Sequence, residues 1–348
     1  MRAKVLVVGC GGIGGICAAH LAETGQDVVA FSSNSAIAAH VSTHGYRLLG
    51  EDPRVIPGRV VDQIPAGPFD YILLATQPPQ VEEAARSVVG SLAPGGAMLC
   101  LQNGLCEARV AAIAGADRCL GAVVGWGASM PEPGVYERTA AGGFTLGHPQ
   151  GKSDPRLAEL AGILEPIGPC EITDNLPGKR WSKLALNSAI SSLGCIGGDR
   201  LGVLMQLRPV RRLALEIMTE VVEVAKAEGV RLEKVSGTLD LEWIALTPEE
   251  RQSSGSASLV AKHSLLLAVG FRYRRMRSSM LAAVERGRPP AVDFLNGEVV
   301  SRGIKHGIPT PINAAIQEKV WEIARGKDSS GVATLERLHA ATRSRPSP

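Results

Sequence analysis

A glycine run placed directly after a short apolar stretch constrains this chain more than any other feature. Residues 4–9 are rich in β-branched side chains, and Gly9-Cys10-Gly11-Gly12-Ile13-Gly14 follows at once. Residues 13–23 then read as a small-residue helix, with Gly25 placed to end it. Strand, glycine turn and helix together open a βαβ unit. The G-x-G-x-x-G spacing lets backbone turn tightly and approach a pyrophosphate at the helix N-terminus. The plainer alternative is a glycine-rich turn with no ligand, since 40 glycines in 348 residues produce such spacings by chance.

The alternation continues through the first half. Residues 27–31, 69–75 and 97–101 read as strands, with a helical stretch at 81–92. That order predicts a parallel sheet with crossover helices. Around residues 119–146 the texture changes to strands joined by turns such as Pro131-Glu132-Pro133-Gly134, which predicts an antiparallel extension of the sheet. Beyond residue 175 the chain becomes helical. The run 210–228 lacks Pro and Gly and repeats Leu213, Ile217, Val221 and Val224 at helical spacing, between Pro209 and Gly229. Residues 282–286, 294–306 and 312–325 predict further helices. The fold class is therefore α/β: an N-terminal Rossmann-type doubly wound sheet over residues 1–175, then a C-terminal all-helical domain over 176–330. The boundary falls within 174–178, and a tail over 331–348 is expected to fray.

Composition removes several functions. A net charge of +3 is too weak to argue for nucleic acid or an anionic membrane. No apolar run reaches the ~18 residues of a membrane-spanning helix. The first residues are too short an apolar stretch for a secretory signal. The seven cysteines form no C-x-x-C pair and no metal spacing with His, so no metal site and a cytoplasmic, reducing compartment are expected.

The end of the second strand bears on the cofactor. An NAD site usually places Asp or Glu there, whereas this chain reads Ala30-Phe31-Ser32-Ser33-Asn34. Hydroxyls and an amide donate to a 2′-phosphate that an acid would repel. Ser33 and Asn34 therefore favour NADP(H), with NAD(H) not excluded, and a helix N-cap is the bland alternative. Gln102-Asn103-Gly104 follows the strand at 97–101, where doubly wound sheets bind ligands. Asn103 is placed to touch nicotinamide or substrate, or else forms an ordinary Asn-Gly turn. Trp126 and Met130 lie on or near a strand at this end. Core packing is the expected role, and Met130 is also kept as a cofactor neighbour.

The most chemical stretch is Trp181-Ser182-Lys183-Leu184-Ala185-Leu186-Asn187-Ser188-Ala189-Ile190-Ser191. On a helix Lys183, Asn187 and Ser191 share one face at i, i+4 and i+8, among apolar neighbours. Such a stripe either lines a binding cleft or is a solvated edge. Hydride reduction of a carbonyl leaves an alkoxide. A partly desolvated lysine can stabilise that charge and protonate it, while Asn187 and Ser191 hold substrate oxygens.

These residues resemble the 2-dehydropantoate 2-reductase, or ketopantoate reductase, family over most of the chain. The likeness rests on the glycine turn, Gln102-Asn103-Gly104 and Trp181-x-Lys183-Leu184-x-x-Asn187. It also rests on Ser278-Ser279-Met280-Leu281, Asp293-Phe294-Leu295-Asn296-Gly297 and His306-Gly307-Ile308-Pro309-Thr310-Pro311. The resemblance implies a reductase using NADPH on a small 2-oxo acid, with Lys183 as proton donor. It further implies Asn103 near nicotinamide and substrate, Asn187 and Ser279 as substrate ligands, and a helical domain that often contributes to a homodimer. Gln77 stands where the family usually has Lys on the cofactor side. Ser191 replaces a frequent second Asn. Ala291 replaces a cofactor-contacting Glu, Ser33 stands near an expected Arg, and Leu201 near a substrate-side Asn. A substrate other than ketopantoate is therefore an open alternative. So are oxidation of a hydroxy compound, imine reduction, and a non-catalytic NADP(H) sensor. Residues 236–277 are longer than the family pattern, with a flexible loop expected at 249–256. Arg272, Arg274, Arg275 and Arg277 there form either an anion clamp or, as preferred, a solvated surface.

Overall fold

The computed structural model describes residues 2–235, 239–252 and 255–343. The chain divides into two compact units. The first holds Met1–Gln102 and Cys106–Pro177; the second holds Asn103–Leu105 and Gly178–Pro348. The division at 177/178 lies inside a helix, two residues past the 175/176 boundary read from sequence, and a tripeptide from the first half joins the second unit.

In the first unit, β1 (Val5–Val8), β2 (Val28–Phe31), β3 (Tyr46–Leu49), β4 (Arg54–Ile56), β5 (Val60–Val61), β6 (Phe69–Leu74), β7 (Leu92–Cys100) and β8 (Cys119–Val124) precede β9 (Gly127–Glu132), β10 (Val135–Ala140), β11 (Phe144–Gly147) and β12 (Cys170–Ile172). Helices α1 (Gly12–Glu23), α2 (Ser35–His44), α3 (Val81–Val88), α4 (Glu107–Ala114) and α5 (Arg156–Leu164) connect them. The main sheet has the order β12-β11-β8-β7-β6-β1-β2-β5. The six strands from β5 to β8 are parallel, and β11 returns antiparallel on β8. All four residues of β1 are buried, as a central parallel strand requires.

Two expectations change here. The turn-rich segment is only partly an extension of the main sheet. β9 and β10 leave it and join β3 and β4 in a separate sheet of order β4-β3-β10-β9. The predicted helix at 81–92 stops at Val88, because Leu92 is already paired with Phe69 and buried as the first residue of β7.

The second unit is helical: α6 (Leu176–Gly197), α7 (Leu201–Leu204), α8 (Arg208–Ala227), α9 (Leu241–Ile244), α10 (Pro248–Gln252), α11 (Ala257–Arg272), α12 (Ser279–Glu285), α13 (Asn296–His306), α14 (Pro311–Ala324) and α15 (Val332–Arg343). Leu213, Ile217, Val221 and Val224 of α8 are all fully buried, the stripe their spacing foretells. Leu105 packs against the same core. Where the sequence reading places a fraying tail from 331, α15 buries Leu335 and Leu338 and packs on α8; residues 344–348 lie outside the described residues. The first half of the loop expected at 249–256 is helical, over 249–252. Glu250 of α10 is buried and ion-paired with buried Lys262 of α11, and Ser256 caps α11 through Leu259 N at 3.1 Å. Residues 236–238 and 253–254 of that stretch lie outside the described residues.

Candidate functional site

The glycine turn lies between β1 and α1, and steric clearance explains three of its four glycines, Gly9, Gly12 and Gly14. Gly9 has φ +94°, and a Cβ on it would stand 2.9 Å from Thr76 N. A Cβ on Gly14 would strike the Gly9 carbonyl oxygen, so this position holds helix close to strand. Gly12 lies against β9, where a Cβ would come within 2.8 Å of the Ala128 backbone. Gly11 differs: it is exposed, and nothing lies within 4 Å of where its Cβ would be. It is the N-cap of α1, contributes no side-chain capping bond, and the first turn of α1 carries no acid. Open space, orphan first-turn N–H groups and no competing carboxylate fit a phosphate. Cys10 is buried, which leaves only its backbone to face the turn, and burial pushes its thiol up to about 12. Ile13 is half-buried against the first unit's core.

Asn34 is the N-cap of α2, its Oδ1 accepting from Ala36 N at 3.1 Å. The capping alternative thus describes its carbonyl oxygen. Ser33 and Asn34 are both exposed at the end of β2, while buried Ser32 accepts from Asn34 N at 3.2 Å. Gln77 is exposed where the chain leaves β6. Met130 is half-buried against the first core, on the strand whose Ala128 abuts Gly12. Trp126 is a core residue, edge-on to Phe144 at 5.7 Å and covered by the Arg138 guanidinium.

In the second unit α6 runs unbroken through Lys183, Asn187 and Ser191, so the i, i+4, i+8 stripe is realised. All three are half-buried, while Leu184, Ala185, Ala189 and Leu193 on the same helix are buried in the core. Burial, and secondarily the positive charge of Arg180, bring the Lys183 ammonium from the ordinary lysine range down to about 7. Ser278 caps α12 through Leu281 N and donates to the Ser191 carbonyl at 2.6 Å. This docks the start of α12, and with it exposed Ser279, onto the Ser191 end of the stripe. Asn103 is exposed at the head of the tripeptide that belongs to this unit. Its neighbour Gly104 has φ +88°, and a Cβ there would stand 2.5 Å from the Phe294 carbonyl oxygen.

Behind α6 lies a buried polar network. Asn296 Nδ2 donates to the Ser188 carbonyl at 3.1 Å and to Asn313 Oδ1 at 2.9 Å, and Ser192 donates to Asn296 Oδ1 at 2.9 Å. Glu220 accepts from Ile312 N, Asn313 N and Asn313 Nδ2 at 2.7–2.8 Å. Asn296 therefore has a structural place. Asp293 orients Gln317 and Trp321, accepting from their side chains at 2.7 and 2.9 Å. Ser192, Glu220 and Asn313 went unread in the sequence, because each acts on a residue distant in the chain. Leu201 is buried, and Arg272, Arg274, Arg275 and Arg277 are exposed, Arg277 pairing with Glu285 at 2.6 Å. Among the described residues, no cluster of three or more His, Cys, Asp or Glu is placed to hold a metal, and no helix is long and apolar enough to cross a membrane.

Comparison with known proteins places the chain in a family. The chain matches the family description "Ketopantoate reductase PanE/ApbA" over residues 5–151 and its "C terminal" counterpart over 175–324. A 2-dehydropantoate 2-reductase from Pyrococcus horikoshii is 25% identical over 331 residues, covering 94% of this chain and 98% of the relative. The fold is shared with a PanE/ApbA family ketopantoate reductase from Ralstonia eutropha JMP134: TM-score 0.77, 24% identity, 93% of this chain and 99% of the other. A D-mandelate dehydrogenase solved with NADH and anilino(oxo)acetate has the same fold: TM-score 0.75, 19% identity, 96% and 99% coverage. With both halves matched in order by one family's descriptions, the chain belongs to the ketopantoate reductase family, oxidoreductases acting on C=O and CH–OH groups.

Proposed function

We propose that this protein reduces a 2-oxo acid or a related carbonyl compound with NADPH, and that Lys183 is the proton donor. The observation that carries the reading is the Lys183 ammonium, brought to about 7 on a helix face shared with Asn187 and Ser191. A donor of that pKa is about half protonated at pH 7 and releases its proton readily to an alkoxide. Asn187, Ser191, Ser279 and Asn103 supply hydrogen-bonding groups for the substrate's oxygens. The nicotinamide, when bound, supplies hydride to the carbonyl carbon. Lys183 Nζ gives its proton to the carbonyl oxygen, so one C–H and one O–H bond form as the C=O π bond is lost.

The backbone of Gly9, Cys10, Gly11, Gly12, Ile13 and Gly14 would hold the pyrophosphate. Ser33 and Asn34 would meet the ribose 2′-phosphate, with Gln77 and Met130 as further cofactor neighbours. The absence of an acid at residues 32–34 supports NADP(H) over NAD(H). The decisive assay follows NADPH consumption with ketopantoate for wild type and Lys183→Ala. Loss of the donor is expected to lower turnover by about 10²–10⁴. Near-normal turnover of the variant would refute the role.

A second reading is oxidation of a hydroxy acid, or reduction of a bulkier substrate. Gln77, Ser191 and Ala291 favour it, since each departs from the family's usual residue, and so does the fold shared with a mandelate dehydrogenase. A substrate panel run in both directions separates the two. We further place the protein in the cytoplasm, where its cysteines stay reduced, and expect a homodimer on the resemblance alone; light scattering in solution tests the latter.

A further inference from the structure

The second sheet of the first unit is packed against the glycine turn, and one side chain of that sheet reaches the turn's backbone. Tyr136 of β10 is fully buried. Its ring fills the space a Cβ on Gly15 would need, which fixes the tyrosine against the first turn of α1. Its hydroxyl donates to the Cys10 carbonyl oxygen at 3.2 Å, across 126 residues of sequence. Burial raises the hydroxyl's pKa above the ordinary tyrosine range, so the donor stays protonated. On the same side, Ala128 of β9 meets Gly12, and Tyr46 of β3 stacks obliquely on Tyr136 at 6.2 Å.

The Cys10 carbonyl and the Gly11 N–H belong to one peptide group. That group is planar and trans, so its C=O and N–H point in opposite directions. A hydroxyl that holds the Cys10 oxygen toward β10 therefore turns the Gly11 N–H away from β10. Gly11 is also the residue with open space around it.

We infer that Tyr136 is a positioning residue for the dinucleotide: it locks the Cys10–Gly11 peptide plane so that the Gly11 N–H is presented to the pyrophosphate before the ligand arrives. The inference rests on the cofactor reading proposed above. Preorganisation of this kind lowers the cost of binding without touching the ligand. It also gives the four-stranded sheet a purpose: through Tyr136 it holds the loop proposed to bind phosphate.

Tyr136→Phe keeps the ring against Gly15 and removes only the hydroxyl. The expected result is a rise of about threefold to tenfold in the Kd for NADPH, measured by fluorescence titration. The KM for NADPH should rise in step. The kcat at saturating NADPH and the KM for the carbonyl substrate should stay unchanged. Adenosine 2′-monophosphate lacks the pyrophosphate, and its binding, read by NMR, should be the same in both proteins. A variant that binds NADPH as wild type does would overturn the inference and leave the cofactor reading intact. So would one that weakens NADPH and adenosine 2′-monophosphate equally. A wild-type protein that binds neither NADPH nor NADH would overturn both. Should Tyr136→Phe fold poorly, the Gly11 amide resonance of the wild-type protein gives a second measurement: a shift on adding NADPH and none on adding adenosine 2′-monophosphate supports the inference, and a resonance that NADPH leaves unmoved overturns it.

Discussion

The glycine turn and the Lys183 stripe are built on opposite principles. At the turn, the proposed function belongs to the main chain, and side chains matter by their absence. Gly9, Gly12 and Gly14 each face backbone at a distance no Cβ tolerates. On α6, the proposed function belongs to side-chain termini, and the backbone is an ordinary helix anchored by apolar neighbours. A main-chain site is thus fragile to added atoms, and a side-chain site to removed ones.

That contrast can be broken in graded steps. The largest effect is expected from Gly14→Ala. Its Cβ meets the Gly9 carbonyl, which cannot move without shifting β1, so overpacking should cost about 3 kcal/mol and abolish NADPH binding. Denaturant unfolding of the variant measures this, and wild-type stability would show that the turn is looser than drawn. Asn296→Ala comes next. It strands Asn313 Oδ1 in the buried network and removes one partner each from the Ser192 hydroxyl and the Ser188 carbonyl, which still bond each other, at a cost of about 2 kcal/mol. A Tm equal to wild type would show that the network is dispensable. Gly11→Ala sharpens the comparison from the other side. With nothing within 4 Å of the new methyl, stability should stay within about 0.5 kcal/mol while NADPH binding weakens about tenfold. If melting temperature fell in parallel with affinity, Gly11 would be a structural glycine like Gly14.

The smallest effect concerns pH. The folded pKa of Lys183, about 7, lies below the ordinary lysine value. Burying the charged form therefore costs stability at and below pH 7, and that cost fades as pH rises toward 10.5. In turnover, the proton needed for reduction is present below about 7 and lost above it, so kcat/KM for reduction should fall through that region. Alcohol oxidation, which needs the neutral amine, should rise through it. Flat profiles in both directions from pH 6 to 9 would remove Lys183 from the proton-transfer step.

Much of this was legible in the sequence, unevenly so. The turn could be read because G-x-G-x-x-G is a local pattern with a local cause, and the stripe because helical period puts Lys183, Asn187 and Ser191 in line. The supports could not be read. Tyr136 lies 126 residues from Cys10, and Asn296 lies 108 from Ser188. Such pairings follow from packing, which no spacing encodes. The hairpin of β9 and β10 was misplaced for the same reason: alternation predicts strands, but the choice of sheet depends on which edge is open. The tail was misread because its composition near the end is polar, whereas Leu335 and Leu338 two turns earlier are enough to dock α15.

The tripeptide Asn103–Leu105 belongs by its packing to a unit whose remaining residues begin at Gly178. For recombination between relatives this matters. A chimera spliced at residue 177 alone would pair one parent's Gly104 with the other parent's Phe294 carbonyl, at a clearance that admits no side chain. Inheritance of the helical unit is therefore a two-segment affair, and an exchange that carries Asn103–Leu105 along with residues 178–348 is the one that keeps each unit's contacts within a single ancestry.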